Sequence, residues 1–267
     1  MSAEALPDFE RPPVVQIIAS VQFLPLPQFG MAEILTVARE MDGWDVLDAP
    51  AAIPPMAEPP PGGEEITTIN FGFGVAPLRL ILHSREGTWL TQLQQDRIAI
   101  HEQRGEARPS FSHVKPKLLG EVVPTASAAL GRSILEEEHR GEYVELVYEN
   151  TICSAAGGWS GANELDRVLQ LVSAEPTDPL HRSIEALSMG YAMVLEDEDG
   201  LAGRLRVQAE SAHVEDRRPA LHLRLISRRL VRSSNVSDVL DACHRDIVMG
   251  FTAATTPSMH EVWGRFR

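Results

Sequence analysis

Long apolar runs are missing from this 267-residue sequence. The longest are a few residues, as in Val14-Val15 and Ile17-Ile18-Ala19 around Gln16, against the ~20 that a membrane-crossing helix requires. No transmembrane helix is expected. Cysteine is scarce: Cys153 and Cys243 are the only two, far apart and without the C-x-x-C spacing of a zinc or redox motif. Reduced, structural thiols are expected. Basic residues are in deficit, with 24 Lys and Arg against 38 Asp and Glu, and the net charge of −14 opposes binding to phosphate backbones. The opening MSAEALPDFERPP also lacks the positive start and apolar run of a secretory signal. A cytoplasmic location follows as the expectation.

The remaining composition, 43% apolar and 23% charged, is that of a soluble globular protein. The length allows one large domain or two ordinary ones. Residues 14–23, VVQIIASVQF, are rich in β-branched residues and follow Pro12-Pro13, so they predict a first strand. Met31, Ile34, Leu35 and Ala38 then recur at helical spacing, which predicts an amphipathic helix over 28–41 stopped by Gly43. Residues 43–65 then read as a loop, with Pro and Gly dominating 50–63, expected to be open to proteolytic nicking. Strands are predicted at 66–75, 78–84 and 88–100, with a hairpin turn at Glu86-Gly87. Helical spacing returns at Phe111, Val114, Leu118, Leu119 and Val122, and a further helical piece is read at 125–137.

From Tyr143 a similar order begins again. A strand at 143–152 precedes a helix at 163–172, then strands at 189–197, 203–214 and 220–229, with a hairpin signal at Asp199-Gly200. A closing helix carries Val236, Leu240, Cys243, Ile247 and Phe251 as its apolar stripe. The recurrence predicts an α+β protein of two similar units, residues 1–141 and 142–267, each a twisted antiparallel sheet packed on a long helix. One joined sheet is the alternative arrangement.

Three blocks carry a resemblance: LPDFERPPVVQIIASVQFLPLP at the start, LTQLQQDRIAIHEQR in the middle and HRDIVMGFTAATTPSMHEVWGRF at the end. They look like a sporadically distributed bacterial family of uncharacterised proteins, whose members begin L-P-x-F-x-x-P-P-V-x-E, carry a Q-x-Q-x-D-R strand and end in H-x-x-W-G. Here Gln16 stands where that family usually has Glu, and Ile100-His101-Glu102 replaces an aromatic-rich continuation such as F-x-x-N-W. The resemblance implies a shared fold and assigns no reaction.

Motifs for catalysis are thin. Cys243 and His244 are adjacent, so on a helix they point about 100° apart and do not share one metal ion easily. His244 and His260 are no local pair. Gly158-Trp159-Ser160-Gly161 lacks the strand-to-helix frame of a nucleophile elbow, and GGWSGAN lacks the Lys of a P-loop. The arginines at 217, 218, 224, 228, 229 and 232 read as a solvated face. No catalytic residue, metal or cofactor is expected. Ser258-x-x-Glu261 predicts a short helix that carries His260 and Trp263 one turn apart, with Trp263 as a docking anchor.

The most unusual stretch is Trp89 to Ile100, WLTQLQQDRIAI, a predicted strand with a polar centre. Alternation puts Gln92, Gln94 and Asp96 on one face and Gln95 and Arg97 on the other. A solvated face and a groove for a peptide or small polar ligand are the main readings, ahead of a catalytic Asp96–Arg97 arrangement, since adjacent strand residues point to opposite sides. The candidate binding residues are therefore Gln92, Gln94, Asp96, Arg97, His244, His260 and Trp263. The leading expectation is a non-catalytic protein-interaction or accessory factor, inhibitory or antitoxin-like, that recognises a protein or peptide. A homodimer is one option, and neither membrane nor nucleic acid is expected as a partner. The alternative is a sensor or enzyme with a small-molecule pocket between the two units, formed by the Gln94 and Asp96 face with His244 or His260.

Overall fold

Alternation along VVQIIASVQF gives β1 (Val14–Phe23) two different faces, with Ile17, Ala19, Val21 and Phe23 on one and Gln16, Ile18, Ser20 and Gln22 on the other. Nearly every position is at least half-buried, so both faces are covered and both edges need partners. β1 finds them in β5 (Arg97–Gln103) and β6 (Gly141–Cys153), antiparallel on each side. The computed structural model describes residues 6–24, 30–60, 79–131, 133–135, 141–154, 158–172, 186–214, 217–232 and 235–266.

The β1–β6 ladder overturns the expectation of two units with separate sheets. All the strands join one antiparallel sheet in the order β2-β3-β4-β5-β1-β6-β9-β8-β7. Here β2 is Trp44–Asp48, β3 Leu80–Ser84, β4 Trp89–Gln94, β7 Ser188–Asp197, β8 Gly200–His213 and β9 Pro219–Leu230. Two separate sheets would have left β1 and β6 as edges, with their N–H and C=O groups unpaired beside buried side chains. The halves do repeat one strand order outward from the centre, β1-β5-β4-β3 on one side and β6-β9-β8-β7 on the other.

The helices also differ from expectation: among the described residues a long helix backs the C-terminal half, and shorter pieces cover the other. On the N-terminal side the cover is α1 (Met31–Glu40), then α2 (Phe111–Lys117), a π-helical turn (Leu118–Val122) and α3 (Val123–Ala129). On the other side α4 (Val236–Ala254) lies over β6, β9 and β8, seated so closely that a Cβ on Gly250 would stand 2.4 Å from Leu205 Cδ2. The helix expected at 163–172 is only a 3-10 turn, Ala162–Arg167, and Leu169 instead bridges Thr255 beyond the end of α4. A last helix, α5 (Pro257–Val262), is capped by Thr256.

Two local expectations also change. The predicted strand 88–100 is the hairpin β4–β5, turned at Gln95-Asp96 and paired Gln94 to Arg97. β2 lies in what read as loop. The predicted strand 66–75 falls outside the described residues. Among the described residues no helix is long and apolar enough to cross a membrane.

Candidate functional site

The sheet separates two constellations. On the face away from the helices, residues 53–59 run across the strands instead of pairing with them, meeting β4, β5, β1, β9 and β8 in turn. A segment perpendicular to the strands has no ladder for its backbone groups. Prolines at 54, 55 and 59 remove three of the donors, and glutamines serve two other residues. Gln94 accepts from Ile53 N at 3.0 Å and donates to Ile53 O at 2.8 Å. Gln22 does the same for Met56, accepting from its N–H in a short bond and donating to its carbonyl at 3.1 Å. Arg97 donates to Gln22 Oε1 and to Pro54 O, both at 3.0 Å.

The segment ends on a buried carboxylate. Glu58 has 0% side-chain exposure and receives Arg204 at 2.6 Å, Arg206 at 2.8 Å and Arg228 at 3.4 Å. Arg228 also holds Glu145 at 2.6 Å. Of the arginines expected to form a solvated face, Arg217, Arg218 and Arg224 are exposed, whereas Arg228, Arg229 and Arg232 are partly buried in ion pairs, Arg229 with Asp246 and Arg232 with Asp197.

These contacts answer what the polar strand does. Gln92, Gln94, Asp96 and Arg97 are all buried beneath the chain's own segment or beside it, with Gln94 donating to Asp96 at 2.7 Å. Their face is neither wet nor an open groove. Gln94 and Arg97 point the same way, because the turn at Gln95-Asp96 resets the alternation.

The second constellation lies on the helix face. The N-terminal segment pairs with the C-terminus: Arg11 donates to Trp263 O at 2.9 Å, and Phe266 to Asp8 O at 3.2 Å. Phe9 packs its edge against Phe251, His260 and Trp263, at centroid distances of 5.6, 5.5 and 6.2 Å. His260 is buried, with Nε2 2.9 Å from Thr255 Oγ1, and burial together with nearby Arg265 holds its pKa below the ordinary value. His260 and Trp263 therefore dock the terminus, as expected of Trp263. The first and last blocks of the resemblance meet here.

Beneath this junction is a cavity of about 520 Å³ between the N-terminal segment, β1, β6, α2 and α4. Most of its wall is apolar, including Phe9, Ile17, Phe111, Ile247 and Phe251. Its polar groups converge on His244. The Tyr148 hydroxyl lies 3.0 Å from His244 Nδ1, and the Phe111 ring stacks on the imidazole at 4.3 Å and 10°. Burial pushes His244 down to about 4, so the ring is neutral at pH 7. Burial also raises the Tyr148 hydroxyl, which stays protonated. Asn150 donates Nδ2 to Leu223 O at 3.0 Å, while its buried Oδ1 has no partner among the described residues. Next to His244, burial pushes the Cys243 thiol up to about 12.

The expected pairing of the Gln94 and Asp96 face with His244 in one pocket is corrected by this geometry. The sheet stands between them. Sequence reasoning found His244 and missed Tyr148, Asn150 and Asp8. Asn150 had a signal: it falls in the apolar phase of β6, after Val144, Leu146 and Tyr148, where a polar side chain needs a reason. A second, more open groove holds Arg11, Arg104 and Arg108 beside Trp263. No group of three or more His, Cys, Asp or Glu suited to a metal ion occurs among the described residues. No family model and no curated protein matches this chain.

Proposed function

We propose that this chain is a non-catalytic binding protein whose ligand site is the cavity at His244. One observation carries the reading: a cavity of about 520 Å³, walled by apolar side chains from both halves of the chain, has Tyr148, Asn150 and His244 in its lining. Apolar walls with a few convergent polar groups are the usual make-up of a small-molecule site. The hydroxyls of the lining are hydrogen-bonded, Ser110 with Ser112 at 2.7 Å and Tyr148 with His244 at 3.0 Å, and burial holds Tyr148 protonated.

The test is uptake of 1-N-phenylnaphthylamine, an apolar dye that fluoresces when desolvated. Wild-type protein is expected to bind it saturably. Val248→Trp, which fills the cavity, is expected to fold with an unchanged thermal midpoint and to lose the signal. Equal fluorescence in the two proteins would count against the site. A protein partner is a second reading, favoured by the exposed Met193 and Val194 on edge strand β7. A homodimer formed through that edge would appear in sedimentation velocity as a concentration-dependent species that Val194→Lys removes. Both readings carry the cytoplasmic location expected from composition.

A further inference from the structure

The charge around the cavity is one-sided. Among the described residues none of its lining is Lys or Arg, and the one charged group there is Asp8, exposed at the edge. Asp8 uses Oδ1 to accept from Phe9 N at 2.9 Å, so its second oxygen is available. Asp8 and Asp241 both act on His244 as negative charges, and Asp241 is offset by Lys115 at 2.6 Å. Deeper in, the wall holds Asn150 and the neutral His244. Asn150 is only 2% exposed, and its orientation is fixed because both neighbours of Nδ2 are carbonyls, Leu223 O and Tyr148 O. Oδ1 is therefore an acceptor, buried and without a partner among the described residues, and it brings no positive charge to the wall. Phe9, Phe111 and Tyr148 add ring faces, which attract cations and repel anions.

We infer that the cavity selects an apolar molecule bearing a protonated amine, with the ammonium group taken by Asp8 at the cavity edge and the apolar body by the Phe9 and Phe111 rings. The inference rests on the cavity being a ligand site. A carboxylate of the same shape would meet Asp8 and would lose its hydration without gaining a cation. A neutral alcohol would keep the apolar contact and satisfy one acceptor. The expected order is amine, then alcohol, then acid.

Isothermal titration with 4-phenylbutylamine, 4-phenylbutanol and 4-phenylbutanoate tests this at constant apolar body. The amine should bind about tenfold tighter than the alcohol, the size of one hydrogen bond to a charged group, and the acid should bind weakest. Asp8→Asn keeps the bond to Phe9 N and should weaken the amine while leaving the alcohol in place. Asp8→Lys should reverse the order of amine and acid. Binding of the alcohol or the acid as tight as the amine, or an amine affinity indifferent to both Asp8 variants, overturns the amine preference while the cavity stands as a site. Failure of all three probes, together with no dye uptake, overturns the site itself.

Discussion

Replacing Glu58 by Ala removes the carboxylate on which three arginines converge. The Arg204, Arg206 and Arg228 side chains are only 9, 14 and 20% exposed, so their charges cannot simply rehydrate in place. Breaking a buried ion pair from one side costs about 3–5 kcal/mol. The lower end applies here, because Arg228 keeps Glu145 at 2.6 Å and Arg204 keeps the Pro59 carbonyl. The loss also has a ceiling. If residues 53–59 lift off the sheet, the arginines regain water, and the damage cannot exceed what the segment contributed by docking. A loss of about 3 kcal/mol in urea unfolding, or roughly 6–12 °C in midpoint for a chain of this size, is the expectation. Limited proteolysis separates the two routes. Wild type should resist cleavage within 53–59, since Met56 is 5% exposed and held by Gln22, whereas the variant should be cut there first. A loss below about 1 kcal/mol with an unchanged cleavage pattern would refute the reasoning, since a surface ion pair contributes only that much.

The triple change Gln92→Ala, Gln94→Ala, Asp96→Ala should lower the midpoint sharply, at about 1–3 kcal/mol for each partner left unsatisfied, and differential scanning calorimetry would show it. In α4, Leu240→Ala and Ile247→Ala should each cost ~2–5 kcal/mol, since both are buried against the sheet; Asp238→Ala, exposed in the first turn, should cost under ~1 kcal/mol by the same denaturant titration. Stability should fall with acid. His244 and His101 are both pushed down to about 4 from 6.5, in each case chiefly by burial, so the unfolded chain binds more protons between these values. The stabilisation is full above pH 6.5 and is lost as pH falls towards 4, on the order of 3 kcal/mol for each ring. His244→Phe should lower the neutral-pH plateau and flatten that slope.

Sequence patterns exposed most strands because their periods are local. β1 matches its prediction at Val14–Phe23, and the glycines of the hairpin turns, Gly87 and Gly200, have φ of +80° and +96° as tight turns demand. The joining of the two halves was not legible. It depends on β1 and β6 choosing each other as neighbours, a pairing that no spacing along the chain records. The same holds for residues 53–59: proline content marked them as irregular, but only the fold supplies Gln22, Gln94 and the three arginines that hold them down. At the cavity, His244 stood out by chemistry, whereas Phe111 read as ordinary helix core. Its stacking on His244 needs α2 and α4 side by side, a contact between residues far apart in sequence.

The most direct test of the account is a crystal structure of the protein soaked with 4-phenylbutylamine. Density is expected inside the cavity, with the phenyl ring among Phe9, Phe111 and Ile17 and the nitrogen towards Asp8. An empty cavity with the amine elsewhere on the molecule, or 4-phenylbutanoate filling the cavity in place of the groove that holds Arg11, Arg104 and Arg108, would contradict it.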